Sequence, residues 1–269
     1  MDQLYYEKIL NLSARGESFV TVTLVESQGS VPQEVGARMI VAGNERLYGT
    51  VGGGKVEKRA LDFAMEILES PEDNSRIKLV SWALDKDIGM TCGGSVKLLF
   101  ESHRPSSWSI VVFGAGHCAL ALIDILSGLD CRITCVDTRA EWLAKLPASP
   151  RIKAERVEKY EDYVGRIDPA SFVVLMTMGH STDSPVLISL LKRFGASLPY
   201  IGVIGSKAKA QRLKGDLKAA STRELDLSQH DESFYCPVGL PIGSRSPEEI
   251  AVSVAAQLLM VRDGKSGCL

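Results

Sequence analysis

Residues 109–137 read SIVVFGAGHCALALIDILSGLDCRITCVD, and this stretch limits the folds open to the chain more than any other. A short apolar run enters two glycines, a helical pattern follows and stops at Gly128, and a second apolar run closes on Asp137. A strand that feeds a helix and then another strand of the same buried type is the unit from which parallel sheets are built. SFVVLMT and YIGVIG are further strands of this type, each followed by a helical pattern. The second part of the chain is therefore expected to be a doubly wound parallel sheet.

The first hundred residues follow another rhythm. FVTVTLVES alternates, with Val20, Val22 and Leu24 on one face and Thr21 and Thr23 on the other. ARMIVAG and RLYGTV flank Gly43-Asn44-Glu45, a hairpin by its turn chemistry. KVEKRALDFAMEILES places Val56, Ala60, Ala64, Ile67 and Leu68 at helical spacing, and IKLVSWAL and SVKLLFE read as two more strands. HRPSSW, residues 103–108, is polar and carries a proline between two apolar strands, as a linker does. The expectation is an α/β protein of two domains. Residues 1–103 form a mixed α/β domain with mostly antiparallel strands, and residues 108–269 the parallel-sheet domain.

Composition narrows the function. A length of 269 residues suits one large domain or two ordinary ones, and a net charge of −2 leaves no broad basic footprint for nucleic acid. No run of eighteen apolar residues offers a membrane span, and the first residues lack the charged-then-apolar order of a secretory signal, so a cytoplasmic location is expected. The six cysteines are scattered without C-x-x-C or zinc spacing, and Cys131 and Cys135 lie on an apolar run as buried free thiols do.

Two glycine loops carry the candidate chemistry. Gly114-x-Gly116-x-x-Ala119 stands between a strand and a helix, where one glycine makes the tight turn, another admits a diphosphate, and a small third residue lets helix and strand pack closely. Amides at the helix start then face an anion. Asp137, 23 residues after Gly114, is placed to accept from a ribose hydroxyl, which makes this a Rossmann-like domain with NAD as one candidate ligand. The other loop, GTVGGGKV, has the spacing of a P-loop from Gly49 to Gly54 and Lys55, but Val56 stands where a hydroxyl would hold Mg²⁺. Without that ligand, phosphoryl transfer is not expected. The loop reads either as an anion cradle made by Gly52, Gly53, Gly54 and Lys55, or as a tight strand-to-helix connection.

Cys92 precedes Gly93 and Gly94 on a loop between strands, where a thiol of lowered pKa would be a soft-metal ligand or sulfur nucleophile. His117 lies inside the Gly114 loop and is placed to orient a ligand. His180 and Asp183 follow a strand end, a place either for ligand contact or for a helix cap by Asp183 or Thr182. No G-x-S-x-G elbow, H-E-x-x-H helix or zinc cluster occurs, and no catalytic residue is assigned.

Several segments together resemble the xanthine dehydrogenase accessory family, XdhC/CoxI. VTLVESQGSVPQEVGARMIV, GTVGGGKVE and TCGGSVKLLFE are similar to its N-terminal domain. VVFGAGHCALAL, CVDTRAEW, YIGVIGSKAKAQRL and CPVGLPIGSRSPEEIAVSVAAQLL are similar to its Rossmann domain. The resemblance implies a protein that binds the molybdenum cofactor, a molybdopterin with a dithiolene and a phosphate. It would shield that cofactor and help deliver it, sulfurated, to an enzyme of the xanthine dehydrogenase class. The implied partners are that molybdoenzyme, a cysteine desulfurase and a second copy in a homodimer. The implied ligand contacts are Gly52, Gly53, Gly54, Cys92, Gly93 and Gly94 in the first domain. In the second they are Gly114, Gly116, His117, Asp137, Arg139 and the loops around Ser206 and Gly243. Two departures from the family pattern are a single Cys92 preceded by Thr91, and Met178-Gly179 where a His-Asp pair is common. Other readings are an NAD-dependent oxidoreductase and a docking module with an empty Rossmann domain.

Overall fold

The structure, a computed structural model, describes residues 2–29, 33–70, 75–90, 93–222, 225–243 and 245–265. The chain divides into two compact units between Pro105 and Ser106.

In the first unit, α1 (Gln3–Ala14) is followed by β1 (Phe19–Gln28), β2 (Arg38–Ala42), β3 (Glu45–Gly49), α2 (Lys55–Glu69), β4 (Ile77–Ala83) and β5 (Ser95–His103). The strands form one antiparallel sheet in the order β3-β2-β1-β5-β4. Alternation in β1 decides what each face buries. Val20, Val22 and Leu24 join Val56, Ala60, Ala64 and Ile67 of α2 in one core. Phe19 on the other face packs with Ile40, Ala42 and α1's Tyr5 and Leu12 in a second. Asp2 caps α1 by accepting the amide of Tyr5 at 3.2 Å.

The second unit runs β6 (Ser109–Phe113), α3 (His117–Ser127), β7 (Arg132–Asp137), α4 (Ala140–Leu143), β8 (Ile152–Arg156), β9 (Phe172–Leu175), α5 (His180–Phe194), β10 (Tyr200–Val203), α6 (Lys207–Ala220) and α7 (Pro247–Arg262). Its sheet is parallel throughout, in the order β10-β9-β6-β7-β8. Being apolar on both sides of the pleat, β6 and β9 need cover on both faces. On one face, α3 and α7 pack through Leu122, Ile123, Leu126, Val254 and Leu258; on the other, α5 and α6 pack through Val186, Leu187, Leu190, Leu213 and Leu217. Each such side chain, fully buried, contributes roughly 1.5–3 kcal/mol. Strand order reverses between β6 and β9, and in open parallel sheets the ligand crevice lies outside the carboxyl ends of the strands at such a point. Short polar β8 and the four-residue α4 fall where the sequence pattern announces no element.

Candidate functional site

In the first unit, β1, β3 and β4 end, and β2 and β5 begin, at the end of the sheet where the chain enters α2. Three loops meet there. A Cβ on Gly29 would lie 3.2 Å from the Gly94 Cα and 3.3 Å from the Gly93 carbonyl oxygen, so these backbones are in contact. The Lys55 ammonium donates to the carbonyl of Gly89, tying the start of α2 to the turn after β4. Gly52 is buried and its amide donates to the Thr50 hydroxyl at 3.2 Å. Gly53 and Gly54 are exposed, with open space where side chains would stand, and Gly54 enters α2 at a φ of 58° that favours glycine. Val56 is fully buried in the core beneath the sheet. The residue that breaks the P-loop pattern therefore points away from the loop's open side and fills the interior. Cys92 lies outside the described residues.

In the second unit, the crevice floor is backbone against backbone. Gly114, at φ 97°, is packed so closely on the loop after β9 that a Cβ would come within 2.3 Å of the Met176 carbonyl oxygen. From this floor α3 starts at exposed His117, which meets the Trp142 ring edge-on at 5.0 Å between centroids. The Arg139 guanidinium lies over the same ring at 5.1 Å and the Lys145 ammonium at 3.7 Å. Amides at a helix start and the Lys145 ammonium offer donors at this mouth.

Asp137 is spent inside the protein. Its Oδ1 accepts from the Arg139 amide and Nε at 2.9 Å each, and its Oδ2 accepts from the Ala115 amide at 2.6 Å and Arg139 Nη2 at 2.8 Å. These four bonds fill the acceptor positions of the fully buried carboxylate, leaving none for a ribose hydroxyl without displacing Arg139. Burial pushes the Asp137 pKa up, but the hydrogen bonds from Arg139 and Ala115 outweigh it and hold the carboxyl below its ordinary range. Asp137 thus acts as a clamp that fixes the glycine loop on one side and aims Arg139 on the other. Tyr160, on a 3₁₀ turn, is 3% exposed beside Asp137, Thr138 and Arg139, and burial with the Asp137 charge raises its pKa.

A second ion pair lies beyond the ends of β9 and β10. Lys209, largely buried, donates to the fully buried Asp183 and, at 2.7 Å, to the Ile204 carbonyl, while Asp183 also accepts the Thr177 amide at 3.2 Å. Gly179 is the residue at which α5 is capped, and the Thr182 hydroxyl accepts its amide at 3.2 Å. His180 Nε2 stands 2.9 Å from Asp216 Oδ2 without hydrogen-bonding geometry.

Gly114, Gly116, His117, Asp137 and Arg139 are brought together around the start of α3; the sequence passed over Trp142, Lys145 and Tyr160, which complete the mouth. Ser206 caps α6 by accepting the Lys209 amide at 3.3 Å, and a Cβ on Gly243 would lie 2.9 Å from the Cβ of Glu249. Cys131 and Cys135 are buried, and burial pushes their thiols up to about 11 and about 12, far from thiolate chemistry. Among the described residues, no group of three His, Cys, Asp or Glu side chains could hold a metal ion, and no helix is long and apolar enough to cross a membrane.

Fold and site together define a two-unit α/β protein with a Rossmann crevice. Residues 110–258 match the XdhC Rossmann domain and residues 12–79 the XdhC and CoxI family; the first match alone spans more than half of the 269 residues. The chain belongs to the XdhC family. It is 25% identical over 290 residues to the molybdenum cofactor insertion chaperone PaoD of Escherichia coli, covering 92% of this chain and 84% of that protein. It is 27% identical over 255 residues to the uncharacterized E. coli protein YqeB, and 28% identical over 156 residues to a probable xanthine dehydrogenase subunit of Bacillus subtilis. These two alignments cover 93% and 57% of this chain but 45% and 42% of the relatives, so the chain spans less than half of the length of either.

Proposed function

We propose that the chain binds the molybdenum cofactor, protects it and assists its sulfuration and its insertion into a molybdoenzyme of the xanthine dehydrogenase class. The observation that carries this reading is the relationship to PaoD, a molybdenum cofactor insertion chaperone, along 92% of this chain. The residues present fit the ligand's phosphate: Gly53 and Gly54, exposed and with open space beside their backbone, in one unit, and Gly116, Arg139 and the start of α3 in the other. Molybdenum arrives on the pterin dithiolene, so a protein cluster of metal ligands is not required. When bound, the cofactor carries the redox-active metal; the chain's own residues hold the phosphate, orient the pterin and exclude water. The closed Asp137 carboxylate argues against a ribose-reading NAD site. Cys92 is the candidate for sulfur handling, and a cysteine desulfurase and a second copy of the chain are the partners this role calls for.

Metal analysis and mass spectrometry of protein purified from an anaerobic, molybdenum-replete host test the proposal. Molybdenum and a pterin are expected in near-equal amounts, with loss of sulfur on the bound cofactor in Cys92→Ala. Protein that carries NAD and oxidises or reduces a small substrate with it, and holds no pterin, would overturn the reading.

A further inference from the structure

Beside the clamp, at the carboxyl ends of β7 and β8, is a pocket of about 500 Å³ lined by Thr138, Arg156, Val157 and Glu158. A space of that size suits a small organic molecule and is far larger than a lone phosphate fills. Its charges are unmet. Glu155, on the opposite side of β8, takes both Lys153 at 2.6 Å and Arg166 at 3.7 Å. Arg156 and Glu158 make no ion pair or hydrogen bond, with each other or with another described residue. Tyr160, 3% exposed, lies beside Thr138 and Asp137. A pocket of this size whose exposed guanidinium and carboxylate no protein group engages leaves both free to hold a polar ligand.

The chemistry of the wall restricts that ligand. A carboxylate with both oxygens free accepts two parallel N–H donors, as it does from an arginine fork. The N–C–N edge of a 2-aminopyrimidin-4-one ring presents such a pair, and this ring is shared by pterins and guanine. Adenine and cytosine offer one amino group and no second donor beside it. Arg156 can donate to the ring carbonyl or stack on its face, and Val157 supplies an apolar wall. Thr138 is next to Arg139, which puts the phosphate end of the same molecule toward the anion mouth.

We infer that this pocket holds the 2-aminopyrimidin-4-one ring of a phosphate-bearing ligand, read by Glu158 and Arg156. The inference rests on the proposed cofactor role for the phosphate mouth, and it names how the heterocycle is recognised.

Isothermal titration of the full chain with neopterin monophosphate, GMP, AMP and CMP tests it. The first two are expected to bind about tenfold or more tighter than the last two, the scale of one added charged hydrogen bond. Glu158→Gln should bring all four to the AMP level and leave inorganic phosphate binding unchanged, while Arg139→Ala should weaken all four alike. The ordering of neopterin monophosphate against GMP identifies the source of the ring; either ordering above AMP and CMP supports the assignment. Equal affinities, no binding, or a preference that survives Glu158→Gln would overturn it. A protein purified with molybdenum but insensitive at Glu158 loses this inference and keeps the cofactor role; a Glu158-dependent preference without molybdenum does the reverse.

Discussion

Val56 and Asp137 each contradict the motif that surrounds them, and each does so for a physical reason. Val56 breaks the P-loop pattern because its side chain is core, fully buried with Ala60 and Ala64 on the inner face of α2. Val56→Thr restores the motif on paper and buries a hydroxyl in an apolar core. We expect a loss of roughly 1–3 kcal/mol in denaturant unfolding and no gain of nucleotide hydrolysis in a phosphate-release assay. Asp137 occupies the ribose-reading position but is closed by Arg139 and Ala115. Asp137→Asn should cost about 3 kcal/mol at neutral pH, the low end for breaking a buried pair, because Arg139 keeps part of its guanidinium in water. The folded pKa lies below the unfolded value of about 3.9, so the stabilisation is complete above that value and is lost as pH falls through the folded pKa. The gap between wild type and variant should therefore be constant from about pH 7 to 5 and shrink below about pH 4 in urea titrations. The glycines and Asp137 were legible in the sequence because spacing alone defines them. The clamp was not, since nothing in a linear string says whether a carboxylate faces a ligand or its own neighbour two residues on.

Among the elements, those with strong periodicity could be read directly: the apolar strands β6, β7, β9 and β10, the alternating β1, and α2 with its one apolar face. Strand β8 escaped because IKAER is an edge strand, mostly outside the core, and its charged residues resemble a loop. The pocket that β8 carries escaped with it. Lys209 and Asp183 pair across 26 positions, a distance at which sequence offers no local signal. The close approach of the loops after β6 and β9 is set by Gly114, where no other residue has both the φ and the space. Gly114→Ala should lower stability by roughly 3 kcal/mol or more, from strain at positive φ plus the clash with Met176. Differential scanning calorimetry reads this as a downward shift in the melting of the second unit.

At the scale of the molecule, each unit closes its own apolar cores: among the described residues, two clusters lie within 106–269 and two within 1–105. A unit with a complete core is expected to fold by itself. A fragment of residues 106–269 should give cooperative thermal unfolding by circular dichroism; a molten profile without a transition would show that it needs the first unit. The two-part organisation was legible because hydrophobic rhythm changes near residue 105, from alternation to strand–helix repetition. The family was legible because several motifs keep their order along nearly the whole chain. Neither rhythm nor motif specifies which ligand would suit the second unit, since that depends on side chains gathered at strand ends.

The crevice in the second unit owes its shape to an atom that is missing. Any carbon attached at position 114 acts as a wedge between β6 and the turn after β9, and spoils the mouth from below. Under the proposed cofactor role, a wedged chain is expected to purify with less molybdenum than the wild type while its first unit keeps its fold.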